Sequence, residues 1–172
     1  MTNPSFDVEE FETIFGLKKI IYDAHKDHRG DIYSSYHDDL VEELNVKFNH
    51  DKFSRSKKDV IRAFHGDEKS IKLVTCVYGR VQQVFVDYRP GSPTFLKSIS
   101  VYNSCDDYVS YLIPPGVLNG YAVLSEIAVY HYKYSYNGKY NSVEKQITVK
   151  WNDKRINNRW DVKSPILSER DK

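Results

Sequence analysis

Short apolar and aromatic runs, many of them β-branched, alternate with polar turns along most of the chain. The first two runs, residues 17–22 and 31–36, lie on either side of a polar turn at 23–30. From residue 46 onward the pattern predicts strand after strand. These strands cover residues 60–65, 71–78, 81–88, 95–102, 108–113, 120–124, 127–136 and 146–151. Short strands at this spacing predict a mainly β fold, either a sandwich or a barrel.

One segment has the periodicity of a helix instead. Residues 38–44 place Leu40, Val41 and Leu44 on a single helical face. Asp38 or Asp39 is the predicted cap, because a carboxylate can accept hydrogen bonds from the free amides of the first turn.

The strand predicted at 127–136 carries a row of alternating tyrosines. Successive side chains of a strand point to opposite faces, so these phenols share one face of a regular strand. The row consists of Tyr130, Tyr132, Tyr134 and Tyr136. A barrel interior can hold a small ligand among its side chains, so the row is either plain wall or the lining of a pocket.

Composition narrows the class of protein. At 172 residues and 20.1 kDa, with 40% hydrophobic and 14% aromatic residues, the chain excludes disordered and collagen-like classes and predicts a single domain over 1–172. The chain has 25 Lys plus Arg and 24 Asp plus Glu, so its net charge is close to zero. Such a charge gives no general attraction to nucleic acid or to an anionic membrane. The absence of a signal-peptide pattern and of an apolar run of about 20 residues predicts a cytoplasmic protein.

Several chemistries lack their sequence signals. The six histidines include no His-x-His pair, so we expect no metal site. The glycines do not cluster into a dinucleotide or P-loop fingerprint, and no Gly-x-Ser-x-Gly motif occurs. Acid and base chemistry without a metal remains, with His65 at the end of a strand, Lys72 at the start of the next, Arg62 and the tyrosine row as candidate groups.

An ordered series of motifs then runs through nearly the whole chain, from about residue 17 to the end. It comprises Asp-His-Arg-Gly at 27–30, Ile-Arg-Ala-Phe-His at 61–65, Lys-Leu-Val at 72–74, Val-Phe-Val-Asp-Tyr-Arg at 84–89, Ser-Pro-Thr-Phe at 92–95, Ile-Pro-Pro-Gly at 113–116, Leu-Ser-Glu at 124–126, Tyr-Lys at 132–133, Trp-Asn-Asp at 151–153 and Leu-Ser-Glu-Arg-Asp at 167–171. The series resembles the dTDP-4-dehydrorhamnose 3,5-epimerase family. The resemblance implies a cupin-type jelly-roll barrel with a few short helices, a homodimer and no cofactor.

The same resemblance implies an isomerase that inverts carbons of a nucleotide-diphosphate-linked 4-keto sugar. His65 is then the base that removes a proton beside the ketone, and Asp171 hydrogen-bonds His65. Tyr132 delivers a proton from the opposite face, and Lys72 stabilises the enolate oxygen. Arg29 and Arg62 are the predicted ligands of the diphosphate.

Physical arguments are consistent with these roles. A fixed cation stabilises a developing oxyanion best in a dry pocket, and a protonated phenol can donate near neutral pH. Arg62 and His65 would point to opposite sides of a regular strand. We therefore expect a bulge or a bend between them if both line one pocket.

The chain also departs from the family pattern. The family's Ala-His-Gly-Phe segment reads Leu-Asn-Gly-Tyr at 118–121, so Asn119 replaces a second active-site histidine. Ala63 replaces a glycine, and Ser34 replaces an acid that helps to bind the nucleotide base. Asn119 is retained as a predicted substrate ligand.

The variant segments at 50–53, 65–67 and 73–79 resemble a subgroup that acts on GDP-linked 4-keto heptoses for capsule and other surface polysaccharides. His50 and Asp67 lie in these segments and are predicted to bind substrate. A dTDP-4-keto-6-deoxyhexose 3,5-epimerase, a 3,4-ketoisomerase and a non-catalytic sugar-nucleotide-binding cupin are the alternatives. Whether C3 alone or both C3 and C5 are inverted stays open.

Overall fold

The computed structural model of the protein describes residues 5–172. Within these residues the chain forms thirteen strands, one α-helix and a 3₁₀ turn at Val143–Lys145. The strands and the helix are, in chain order, β1 (Phe6–Glu10), β2 (Lys18–Tyr22), β3 (His25–Asp27), β4 (Gly30–Ile32), α1 (Asp38–Leu44), β5 (His50–Lys57), β6 (Ile61–Gly66), β7 (Ile71–Tyr78), β8 (Arg80–Asp87), β9 (Ser98–Ser104), β10 (Val109–Ile113), β11 (Val117–Val123), β12 (Ile127–Ser135) and β13 (Ile147–Thr148).

Two antiparallel sheets form the body of the protein. One has six strands in the order β1-β2-β10-β7-β12-β5, and the other has five in the order β13-β6-β11-β8-β9. A core that includes Val74 and Tyr130 from the first sheet and Phe85 and Tyr121 from the second fills the space between them. Strands that are distant in sequence are neighbours in both sheets. The fold is therefore mainly β and of the jelly-roll type, as predicted.

The five-stranded sheet is covered on both faces. Val84 and Val86 of β8 face away from the inter-sheet core and pack with Trp160 and Val162 of the C-terminal segment. Every residue of β11 is buried for the same reason. Both strands consequently lack the alternation of exposed and buried residues that a half-exposed strand shows, and even their polar residues Gln82, Gln83 and Asn119 are buried.

The helix has the predicted bounds, and α1 packs Leu40 and Leu44 against the outer face of the six-stranded sheet. The predicted cap is wrong. His37 occupies the N-cap position without a side-chain hydrogen bond, and Asp38 and Asp39 lie inside the first turn, where their charge still favours the helix dipole. Among residues 5–172, no helix is long and apolar enough to cross a membrane.

Strand prediction failed where the strands are polar. β1 and β5 are the two edges of the six-stranded sheet, and neither has an apolar run that would have marked it. The strand predicted at 31–36 is shorter than expected. Only its first two residues are in a strand, β4. β4 pairs with β3, a strand that lies within residues 23–30, which were predicted to form a turn.

The pairing of β6 with β11 contains the bulge that the sequence analysis required. His65 pairs with Asn119 and Arg62 pairs with Tyr121. The two β6 residues are thus three positions apart in sequence, whereas their β11 partners are two apart, so β6 has one extra residue. A strand with one extra residue changes the side to which its side chains point. Arg62 and His65 can therefore line the same cavity.

Gly120 makes this close approach of the two strands possible. A Cβ atom on Gly120 would lie 2.5 Å from Ala63 Cβ, 2.8 Å from Ala63 Cα and 2.9 Å from Arg62 O. We expect Gly120→Ala to lower the free energy of unfolding by about 1–3 kcal/mol, because backbone atoms of β6 must move apart from β11. Denaturant unfolding measures the change.

The matched control is the double variant Gly120→Ala with Ala63→Gly. Removing the Ala63 Cβ relieves the shortest contact and leaves the backbone contacts, so the double variant should recover part of the loss. Equal stability of Gly120→Ala and the wild type would contradict the explanation.

Candidate active site

A cavity of about 200 Å³ opens between the two sheets. The six-stranded sheet contributes side chains from β5, β7 and β12, namely Lys52, Ser54, Lys72, Tyr132 and Tyr134. The five-stranded sheet contributes residues of β6 and β11, namely Arg62, His65, Gly66 and Asn119. Asp67 and segments near the C-terminus complete the lining with Tyr140, Gln146, Ser168, Arg170 and Asp171. Seven of the nine predicted site residues thus line one cavity, and only Arg29 and His50 do not.

His65 and Asp171 form the shortest contact between titratable groups in the cavity. His65 Nε2 lies 2.7 Å from Asp171 Oδ1, and both atoms are shielded from solvent. Ser168 Oγ donates to the other carboxylate oxygen at 2.7 Å. Burial raises the pKa of Asp171, but the hydrogen bonds from His65 and Ser168 outweigh this and lower it. An ionised Asp171 holds the proton on Nε2 and leaves Nδ1 of His65 with a free lone pair.

The C-terminal segment carries Asp171 to this position. Backbone hydrogen bonds join Asp171 N to Ser168 O and Trp151 N to Asp171 O. Arg170 fixes the segment from the side, donating to Thr148 Oγ1 at 2.8 Å and to Gln146 Oε1 at 3.1 Å. The last turn of the chain is therefore anchored to the strand that pairs with β6.

The tyrosine row proves to be wall for some members and cavity lining for others. Tyr130 is fully buried in the core, whereas Tyr132 and Tyr134 reach the cavity. Burial, with the neighbouring phenols Tyr121 and Tyr134, raises the pKa of Tyr132 well above its usual value. The phenol thus stays protonated near neutral pH and can donate. Since β12 and β6 belong to different sheets, Tyr132 and His65 approach the cavity from opposite walls.

Lys72 is a buried cation held by two oxygen acceptors. Its Nζ donates to the backbone oxygen of His65 at 3.0 Å and to Asn119 Oδ1 at 3.1 Å. An ammonium group has three N–H donors, so one is left for a ligand in the cavity. Burial lowers the pKa of Lys72 to about 8; nearby Asp67 opposes this shift and other cations add to it.

Cations outnumber free anions around the cavity. Lys52, Arg62 and Arg170 join Lys72 in the lining. The two lining carboxylates are already engaged, since Asp171 pairs with His65 and Asp67 Oδ1 accepts the backbone amides of residues 69 and 70. The cavity is consequently suited to an anionic ligand although the whole chain carries a net charge of only +1.

Two predicted substrate ligands lie outside the cavity. Arg29 is on the turn between β3 and β4, where its exposed guanidinium pairs with Asp27 at 2.5 Å. His50 packs behind the lining, with its Nδ1 3.0 Å from the hydroxyl of Tyr136 and its ring 5.0 Å from that of Tyr140. Within one chain these two residues therefore do not join the other predicted ligands.

The structure adds cavity residues that the sequence did not single out, chiefly Lys52, Ser54 and Arg170. Lys52 and Ser54 alternate along β5, so the period of a strand would have paired them. That signal was hidden because the strand itself has no apolar alternation. Within residues 5–172, no three His, Cys, Asp or Glu side chains gather as the ligands of a metal ion would.

The state of Lys72 gives a prediction about pH dependence. If its ammonium group stabilises negative charge during turnover, kcat/KM should fall as the pH rises through about 8, because the free enzyme loses that proton there. A pH profile of kcat/KM measures this limb. Asn119→Asp places a carboxylate next to Nζ, raises the pKa of Lys72 and should move the limb to higher pH. A profile that stays flat between about pH 7 and 10 would contradict the assignment.

Comparison with known proteins points to a single family. The model of the family described as dTDP-4-dehydrorhamnose 3,5-epimerase matches residues 12–172. The dTDP-4-dehydrorhamnose 3,5-epimerase of Escherichia coli (strain K12) is 38% identical over 152 residues, which cover 84% of this chain and 80% of that protein.

Solved structures agree with the sequence match. The dTDP-6-deoxy-D-glucose-3,5-epimerase of Legionella pneumophila, in complex with dTDP-4-keto-L-rhamnose, superposes with a TM-score of 0.88 at 32% identity, covering 97% of this chain and 90% of that one. The dTDP-4-dehydrorhamnose 3,5-epimerase of Bacillus anthracis, with TDP and pyrophosphate bound, gives 0.89 at 30% identity and 97% coverage of both chains. The protein is an isomerase, and its chain belongs to the dTDP-4-dehydrorhamnose 3,5-epimerase family.

Proposed function

We propose that this protein inverts C3, C5 or both in a dTDP-linked 4-keto-6-deoxy sugar. The observation that carries the proposal is the meeting of the His65–Asp171 pair, the Tyr132 phenol and the Lys72 ammonium in one cationic cavity. The relatives and the solved structures named above are enzymes of dTDP-linked sugars by their own descriptions, which favours dTDP as the nucleotide.

The proposed reaction is a proton exchange through an enolate. Nδ1 of His65 takes a proton from the carbon beside the ketone, and the electron pair of that C–H bond moves onto the carbonyl oxygen. Lys72 stabilises the resulting enolate oxygen with its remaining N–H. Tyr132 then gives its proton to the same carbon from the opposite side, and solvent returns a proton to the phenolate and removes one from His65. No electrons are gained or lost overall.

The nucleotide diphosphate would bind to the cations that face the cavity. Arg62 uses Nε for Ser56, so its terminal nitrogens are available for phosphate oxygens, a geometry in which arginine can bind two oxygens at once. The roles of Asn119, Asp67, His50 and Arg29 as substrate ligands stay predictions, as do the homodimer and the cytoplasmic location.

A GDP-linked 4-keto heptose is the second candidate substrate. Lys52 and Asn119 both lie where the chain departs from the family pattern, and both line the cavity. These changed side chains would therefore contact a substrate bound there. An altered lining favours an altered substrate more than a loss of chemistry, because His65, Asp171, Lys72 and Tyr132 are all present.

Solvent exchange tests the proposal and separates the substrates. The protein is incubated in deuterated water with dTDP-4-keto-6-deoxyglucose and, separately, with a GDP-linked 4-keto heptose, and NMR locates deuterium at C3 and C5. We expect deuterium and an inverted configuration with the dTDP sugar. Turnover of the heptose alone would favour the second candidate, and a carbonyl moved to C3 would favour a ketoisomerase. Nucleotide binding without exchange of either sugar would overturn the proposed activity.

A further inference from the structure

A chain of hydroxyl groups connects Arg62 with the opposite wall of the cavity. Arg62 Nε donates to Ser56 Oγ at 2.9 Å. Ser56 Oγ lies 3.2 Å from the Tyr121 hydroxyl, which lies 2.8 Å from Ser54 Oγ. Ser56 and Tyr121 are 4% and 1% exposed, so water cannot easily replace these partners. Of these four hydrogen-bonded residues, Arg62 and Ser54 line the cavity.

The guanidinium sets the direction of the hydrogen bonds. Arg62 can only donate, so Ser56 must accept from it and has its own hydrogen left to place. If that hydrogen did not go to Tyr121, it would have no acceptor among the described residues, and a buried unpaired donor is costly. Tyr121 therefore donates to Ser54. Ser54 has then accepted a hydrogen bond, and its own hydrogen is directed into the cavity, where it reaches the Tyr132 hydroxyl and the space beside it that a ligand would fill.

The core fixes the Tyr121 hydroxyl in place. The ring stacks on Tyr130 with 4.6 Å between the centroids, and the residue pairs with Arg62 on one neighbouring strand and with Gln83 on the other. The hydroxyl thus holds its position without a ligand. Preorganised donors lose little freedom on binding, which makes them effective in recognition.

We propose that Tyr121 is a positioning residue that aims the Ser54 hydroxyl into the cavity as a donor to an acceptor oxygen of the bound sugar diphosphate. The inference rests on the proposed function for the identity of that ligand. Arg62 and Ser54 would bind the same ligand from two sides, and their orientations are coupled through Ser56 and Tyr121. Ser54 would then contribute to specificity, because only a ligand with an oxygen at this point satisfies it.

The test compares Tyr121→Phe and Ser54→Ala with the wild type. Calorimetry measures the Kd for dTDP and for dTDP-glucose, and exchange kinetics give KM and kcat. Losing one such hydrogen bond should weaken binding of dTDP-glucose by about five- to tenfold in each variant. In Tyr121→Phe, KM should rise to the same extent while kcat changes less than about twofold, a split that a merely destabilised fold would not produce. In Ser54→Ala, kcat should fall as well, because the Tyr132 proton donor loses its hydrogen bond from Ser54. If the affinity for dTDP falls as well as that for dTDP-glucose, the acceptor oxygen belongs to the diphosphate. If only the affinity for dTDP-glucose falls, the acceptor oxygen belongs to the sugar.

Two further variants and a double variant show whether the residues act as a chain. The double variant should bind no worse than the more weakly binding single variant, because Tyr121 acts only by orienting the Ser54 hydroxyl, which Ser54→Ala already removes. Ser54→Thr keeps a hydroxyl at this position, so it should bind dTDP-glucose with the affinity of the wild type. Tyr130→Phe removes a neighbouring buried hydroxyl that has no partner among the described residues, and its affinity should equal that of the wild type.

Independent, additive losses or an unchanged affinity of Tyr121→Phe would overturn the inference and leave the proposed function intact. Wild-type protein that binds neither dTDP nor GDP would overturn both.

Discussion

Replacing His65 by asparagine is expected to reduce solvent exchange and epimerisation together by about 10²- to 10⁴-fold, the usual contribution of a positioned general base. Asparagine is similar in size and keeps a polar side chain, but it has no basic lone pair near neutral pH. The same measurement of deuterium at C3 and C5 follows the loss. Both processes should fall, because proton removal precedes every later step.

His131→Asn is the matched control. His131 lies on the outer face of β12, 3.0 Å from Asp51, and does not line the cavity, so exchange should stay at the wild-type rate. Asp171→Asn should lower exchange as well, since an amide can donate to Nε2 of His65 and thereby move the ring proton to Nδ1. Wild-type exchange in His65→Asn, with a wild-type melting temperature, would remove His65 from the mechanism.

Replacing Tyr132 by phenylalanine is expected to separate the two half-reactions. Epimerised product should fall by about 10²-fold or more, because the proton donor of one wall is lost. Deuterium should still enter the sugar with retention of configuration, because the His65–Asp171 pair is intact and can return a solvent proton to the face from which it took one. NMR of the recovered sugar nucleotide distinguishes retention from inversion.

Tyr130→Phe serves as the control for this result as well, because Tyr130 lies on the same strand and is fully buried behind the cavity. It should leave both exchange and inversion unchanged. Equal losses of exchange and inversion in Tyr132→Phe would show that Tyr132 acts before or during proton removal, and its role as the second-face donor would be wrong.

The alternating tyrosines show how far local sequence patterns reach. A period of two correctly placed Tyr130, Tyr132 and Tyr134 on one face of β12, because strand geometry alone decides which side chains share a side. It did not reveal that Tyr130 lies in the core and that Tyr132 borders a cavity. That difference depends on the opposite sheet, where Tyr121 stacks on Tyr130, whereas Arg62 and His65 line the cavity together with Tyr132.

The β5 strand shows the opposite case. Its sequence is almost entirely polar, so no pattern marked it as a strand, and Lys52 and Ser54 went unnoticed as cavity residues. The strand forms because β12 offers it a complete partner along eight paired residues. An edge strand that owes its existence to a neighbour from a distant part of the chain has no signal of its own.

By itself, the sequence determined the mainly β class and the bounds of the single helix among the described residues, and its motifs supplied the candidate side chains for proton transfer. The tertiary structure alone decided which of them meet. It joined His65 to Asp171 across most of the chain, turned Arg62 and His65 to one side through the β6 bulge and left Arg29 outside the cavity. The physical reason is that hydrophobic periodicity is a local property, whereas a site between two sheets is made of contacts between strands far apart in sequence.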